Sequence, residues 1–469
     1  MIIVDFGKGR MADMKYIKEI ERTIDTKVLV IGGGTAGFGA AVASARNGAE
    51  TLLIEKGQML GGMATAGLVG PFMTCYDDEG ENQVVKGIFE ELCRKAEERG
   101  GAIHPSKVDN MSTYCSYYAT GHKHVTPFMS EVLEVVMEEM VLEAGAKILY
   151  NVRLCDVLTE GKKIIGVLVS MKEGLTLIRA ESYIDCTGDA DAAFYAGAKC
   201  ISGDETDGTM QPVSLFFEIG NMDREKFVGV LEEKKAKGEL GEPGFNCWSW
   251  CVKEAKKNGE WTLIRDEVGN YEQPIAGRWK INTTRMTYVD ATNTEDLTKA
   301  VMEGRRQVQE LMNFFKKYVP GCENLQLLQV ASVLGVRETR HISGRYKLTA
   351  EDIYERRHFE DAICTFAYAI DVHASEGNSG VLKSVNSYYT IPFRCLVPED
   401  IDNLLVAGRC ISGTSEAAGS YRVMPCCVAT GQAAGTAAAL ALRGGCNPGD
   451  VDCDTLRKTL LEQGAVIWD

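Results

Sequence analysis

The chain has 469 residues, 45% of them hydrophobic, which is enough to bury a large core and suggests two or three domains. Lys and Arg total 51 against 66 Asp and Glu, a net charge of −15, and this acidic balance argues against broad nucleic-acid binding or attraction to anionic membranes. No run of 18 apolar residues stands out as a membrane span, and residues 1–26 lack the apolar core and cleavage site of a secretory signal, so a cytoplasmic location is expected.

The first clear element is the apolar run Val28 to Ile31, read as a strand. Gly32, Gly34 and Gly37 follow in G-x-G-x-x-G spacing, then a helical pattern, then a second apolar run, Thr51 to Ile54, ending in Glu55. One glycine makes a tight turn, one lets the backbone approach a pyrophosphate, and one lets the helix sit close to the strand. The helix start, with Thr35 and Ala36, offers N–H groups and partial positive charge to phosphates. Glu55 falls near the ~20-residue spacing at which a carboxylate accepts from ribose hydroxyls, and Lys56 stands beside it. The pattern predicts a dinucleotide site. Gly61, Gly62 and Met63 then open a loop of small residues running to Gly70.

Ile88 to Glu98 reads as an amphipathic helix. Residues 105–124 are rich in Ser, Tyr, Gly and His and read as an exposed or active-site loop. A helix is expected from Phe128 to Glu143, with strands at Lys147–Tyr150, Arg153–Thr159, Ile164–Met171 and Ala180–Asp185. The last of these runs into Cys186-Thr187-Gly188-Asp189, where Asp189 serves as a helix cap or a cofactor contact.

Residues 205–387 read as an inserted substrate domain between two parts of a nucleotide-binding domain, 26–204 and 388–450. Within the insert, Pro212–Ile219 and Leu325–Leu334 have strand character and Gly241–Trp261 reads as loop. Thr294 to Tyr318 is a long helix capped by Asn293 or Thr294. Asn403–Ala407 is a strand ending in Gly408-Arg409. Pro425 opens a small, apolar helix, Cys426 to Leu442, expected to be buried. The 16 cysteines show no C-x-x-C pair, and no metal site is expected.

The second glycine pair and the segments MQPVSLFFEI (210–219), LGVRETRHISGRYKLTAEDI (334–353), AIDVHASEG (369–377), YYTIPFRCLVPEDIDNLLVAGRCIS (388–412) and SYRVMPCCVATGQAAG (420–435) resemble a bacterial family of FAD-dependent oxidoreductases. That family has a glutathione-reductase-like flavin fold and is distantly related to fumarate reductase flavoproteins. The resemblance implies an α/β fold: a Rossmann-like FAD-binding domain of glutathione-reductase type with an inserted α+β substrate domain. It implies FAD as cofactor, with Gly188, Asp189, Gly408, Arg409 and Pro425 joining the first motif around it. Many flavin domains end the last strand in Gly-Asp or Gly-Glu. Here Arg409 stands in the acid's place, so the ribitol hydroxyls need another acceptor, Glu416 or a backbone group.

The expected chemistry is hydride transfer between flavin N5 and a small organic, anionic substrate. His373 is the first acid/base candidate, because an imidazole exchanges protons near neutral pH, and His341 beside Arg340 is the second. Arg337, Arg340, Arg394 and Arg422 are candidate anion forks, set against structural ion pairs. Arg422 resembles the substrate-side arginine of the fumarate reductase relatives. Tyr389 donates a proton or packs against the ring. Two other readings stay open. One is an electron-transfer subunit resembling that of heterodisulfide reductase; the other is a dinucleotide-binding protein without redox turnover. The expected partners are a small-molecule substrate, an electron acceptor or donor, and a second copy of the chain in a homo-oligomer.

Overall fold

In this computed structural model the described residues are 2–5, 15–20, 22–117, 120–239, 248–373 and 380–468. The parts of the 369–377 and 241–261 stretches numbered 374–377 and 241–247 lie outside them. Five parallel strands form the central sheet, in the order Leu404–Val406, Ser182–Asp185, Val28–Ile31, Thr51–Glu55 and Lys147–Tyr150. The three inner strands are buried along nearly their whole length, as continuous apolar runs in a sheet covered on both faces require. A second sheet, Arg22–Asp25, Gly174–Arg179, Lys163–Met171 and Arg153–Glu160, packs beside it.

Helix Thr35–Arg46 crosses helix Met424–Gly444 at very close range. A Cβ at Gly431 would fall 2.0 Å from the Ala36 carbonyl oxygen, and one at Gly435 would fall 2.1 Å from that of Ala40. Helix Met424–Gly444 is the one helix among the described residues long and apolar enough to cross a membrane, and 83% of its apolar window is buried inside the fold. Its small side chains serve this crossing. The same core takes in Leu348, Ile363, Ile370, Tyr389 and Leu396.

The cap is a four-stranded antiparallel sheet, Gly269–Glu272, Trp279–Asn282, Phe217–Gly220 and Gln326–Val330. It is backed by helix Thr294–Tyr318, whose N-cap Asn293 accepts from the Glu295 and Asp296 amides. Two features differ from the sequence reading. Ser249–Lys257 is a helix rather than loop, buried through Cys251, Val252 and Ala255. The strands Gly269–Glu272 and Trp279–Asn282 are too short for their apolar–polar alternation to announce them, and both of their faces are buried, the polar Asn270, Glu272 and Lys280 included. Lys280 Nζ donates to Ser130 Oγ at 2.9 Å and to the Phe128 carbonyl at 3.3 Å, so cap and nucleotide fold are joined by buried polar contacts. Burial pushes this ammonium down to about 8.

Candidate active site

The glycine motif builds a crossing that only glycines allow. Gly32 has φ +101°, and a Cβ there would meet the Cys186 carbonyl at 2.6 Å; a Cβ on Gly37 would lie 1.8 Å from the Gly32 oxygen. These two residues set the turn and the helix packing and do not line the cavity. Gly34, the N-cap of helix Thr35–Arg46, faces open space instead. Gly61, with φ +98°, donates to the Gly33 carbonyl at 2.8 Å and holds the second loop against the first. Glu55 accepts from the amides of Gly33 at 2.7 Å and Gly57 at 2.6 Å, with lone pairs left on both oxygens for a ribose.

A cavity of about 660 Å³ opens at this crossing. Gly34, Thr35, Ala36, Glu55, Lys56, Gly62, Met63, Gly188, Asp189, Gly408 and Arg409, all assigned to the cofactor in the sequence reading, line it. Pro425 sits just inside the helix start, whose neighbours Val423, Met424 and Cys427 reach the cavity wall. Glu416 lies outside, accepting from the Tyr354 hydroxyl at 2.8 Å. Arg409 pairs with Asp189 Oδ1 at 2.5 Å and donates to the carbonyls of Gly188 and Val336. Asp189 thus brings a carboxylate to the same wall. Arg153 lines the end near Lys56 and Gln58; no spacing signal in the sequence marked it.

A second group of residues meets in the same cavity. Asp371, on strand Ile370–His373, faces His373 Nε2 at 3.3 Å, and Arg422 Nη2 at 3.4 Å. The Arg422 guanidinium also donates to the Asp371 carbonyl at 2.8 Å. Arg337 lines the cavity and donates to the Pro212 carbonyl at 2.6 Å. Burial would raise the Asp371 carboxyl, but His373, Arg422 and Arg337 together hold it well below the usual carboxylate range. Burial pushes the His373 imidazole down to about 4, with Asp371 pulling the other way. At neutral pH Asp371 is therefore ionised and His373 neutral. Burial and the facing Arg422 lower the Arg337 guanidinium to about 9, so it too stays charged. His122, Arg265, Tyr271 and Asn282 complete this end. His122 belongs to the polar stretch already suspected; the other three come from cap segments that carried no motif. Cys427 lines the wall, but burial raises its thiol to about 12, which removes the thiolate needed for nucleophilic work.

Other candidates are placed elsewhere. Arg340 pairs with Asp191 at 2.9 Å and covers the Phe194 ring. Arg394 pairs with Asp361 at 2.9 Å. His341 is buried against the Tyr421 hydroxyl, 3.1 Å from Nδ1. Tyr389 is buried with its hydroxyl 2.7 Å from Ser420 Oγ. None of the four lines the cavity.

His122 and His373 both carry folded values near 4, below the ordinary 6.5. The unfolded chain therefore binds more protons between these values. Stability is expected to fall as pH drops from about 6.5 to about 4, the slope easing below about 4, where both imidazoles are protonated in the folded protein as well. Chemical denaturation at a series of pH values checks this, and a His122→Asn variant should show the weaker slope.

The glycine crossing, the open face of Gly34 and the carboxylates of Glu55 and Asp189 fit a flavin dinucleotide. A family model described as FAD dependent oxidoreductase matches residues 27–460. The chain belongs to this family. It is an FAD-dependent oxidoreductase, and FAD is its cofactor. This flavoenzyme is 28% identical over 211 residues to a thiamine thiazole synthase of Methanococcus maripaludis, which covers 41% of this chain and 70% of that protein. Among solved structures, a geranylgeranyl bacteriochlorophyll reductase-like protein of Thermoplasma acidophilum aligns with TM-score 0.46 and 14% identity, over 95% of this chain and 85% of the other. L-proline dehydrogenase from P. horikoshii aligns with TM-score 0.43 and 13% identity, over 95% of this chain and 100% of the other.

Proposed function

We propose that this enzyme oxidises a small organic anion, with Arg337 and Arg422 holding the anionic group and His373 taking up the proton. The observation that carries the reading is the Asp371–His373–Arg422 group, which stands with Arg337 in the cavity that the glycine motif opens into. When bound, FAD supplies the hydride acceptor or donor. Asp371 accepts from His373 Nε2–H, which fixes the ring and leaves Nδ1 with the lone pair. A neutral imidazole has its lone pair available to take up a proton, which is in keeping with the dehydrogenase direction. The N-terminus of helix Met424–Gly444 favours negative charge at its end of the cavity by about 0.3–2 kcal/mol. Asp189 and Glu55 are the hydroxyl acceptors for the cofactor's sugar and ribitol. The central sheet with its glycine motif is in keeping with a flavin domain of glutathione-reductase type, and the place of Arg422 ahead of the buried helix with a distant kinship to fumarate reductase flavoproteins.

Anaerobic mixing of the yellow protein with organic acids tests the reading: a true substrate bleaches the flavin band. Arg337→Met and Arg422→Met are each expected to raise KM by about 10- to 100-fold, the worth of a hydrogen bond to a charged group. Unchanged KM in both variants would remove the arginines from the site.

A further inference from the structure

The cavity reaches beyond the residues that serve the dinucleotide. On the cap side it is walled by Phe216, Leu297, Val301 and Leu334, all of which belong to or pack on the cap's own core. Leu297 and Val301 stand one turn apart near the start of helix Thr294–Tyr318. Farther along this helix the apolar stripe is buried at Gly304, Val308, Leu311 and Phe315. At 297 and 301 the stripe runs on over the cavity, and both side chains are only half-buried. An apolar stripe left wet inside a concave site matches an apolar ligand surface.

We infer that the substrate is an organic acid with an extended apolar body. Its head group sits on Arg337 and Arg422, and its body lies along Phe216, Leu297 and Val301. This inference rests on the anion site proposed above and adds the chemistry of the rest of the molecule. A compact, polar acid fills the arginine end and leaves the half-buried Leu297 and Val301 in water. An apolar chain or ring removes them from it and gains binding with every methylene covered.

The test is a titration of the FAD-loaded protein with butyrate, hexanoate, octanoate and succinate. Binding is read by calorimetry and, in parallel, by the shift of the flavin absorption bands. Each added methylene is expected to tighten binding roughly fourfold, so octanoate, four methylenes longer, binds about 250-fold more tightly than butyrate. Val301→Asn, checked for full flavin content, should cut that gain to less than about tenfold. Equal affinity across the three monocarboxylates, or succinate binding more tightly than octanoate, overturns the apolar body and leaves the anion site standing. Octanoate binding that ignores Arg337→Met, binding that leaves the flavin bands unmoved, or no binding by any of the four acids overturns the anion site itself.

Discussion

His373→Ala is expected to lower kcat by roughly 10²- to 10⁴-fold, the usual worth of a positioned acid or base, with flavin content unchanged. The imidazole faces Asp371, and the backbone amide of His373 donates to Gln211 Oε1; neither partner belongs to the glycine motif. Cofactor binding and proton transfer should therefore separate cleanly. In the wild type kcat/KM should stay level from neutral pH down to about 5 and then fall as the imidazole protonates near 4. Asp371→Asn should move that fall and lower turnover as well, because it removes the acceptor that fixes the ring. A His373→Ala enzyme with full turnover would transfer the proton role elsewhere, and His122, in the same cavity, would be the next variant to make.

Gly435→Val is expected to cost the enzyme its flavin. The added Cβ would stand 2.1 Å from the Ala40 carbonyl oxygen, a backbone atom that cannot swing aside, so helices Thr35–Arg46 and Met424–Gly444 must part. Overpacking of side chains costs about 1–3 kcal/mol; with backbone against backbone a loss of at least ~3 kcal/mol is expected. Both helices begin at the cavity, so the shift reaches the cofactor. The measurements are flavin content after desalting and the midpoint of denaturant unfolding. Gly229→Ala is the control: no atom lies within 4 Å of its added Cβ, and alanine in a helix should stabilise by about 0.5–1 kcal/mol. If Gly435→Val kept its flavin and its midpoint, the close crossing would carry no structural demand.

The nucleotide fold was readable because each of its parts follows a local rule. Val28–Ile31 and Thr51–Glu55 are short, continuous apolar runs, and the glycines between them answer to steric demands within a few residues. Helix Thr294–Tyr318 has both its stripe and its Asn293 cap in the sequence. The cap strands were not readable, because they bury polar residues against another part of the chain: Lys280 against Ser130, and Glu272 against Arg224 and Thr113. Alternation of apolar and polar residues cannot report a partner that is itself polar. The site was readable in the same uneven way. His373 and Arg422 lay in segments that resemble a known family. Arg265, Tyr271 and Asn282 lay in segments with no such signal, and long-range folding alone brings them to the cavity. His341 and Tyr389 had suitable chemistry, and only the three-dimensional arrangement shows that both face the core.

The central sheet also sets a timetable. Its edge strand Leu404–Val406 pairs with Ser182–Asp185, which pairs with Val28–Ile31, and helix Met424–Gly444 lies against the first helix. Nearly 400 residues separate strand Val28–Ile31 and the first helix from Leu404–Val406 and Met424–Gly444. At about 5–20 residues per second of synthesis, the early strands wait roughly 20–80 s for the later ones. Flavin capture is therefore a late event in the life of each molecule, and supply of FAD to the finished polypeptide, rather than to the growing one, governs how much of it becomes yellow.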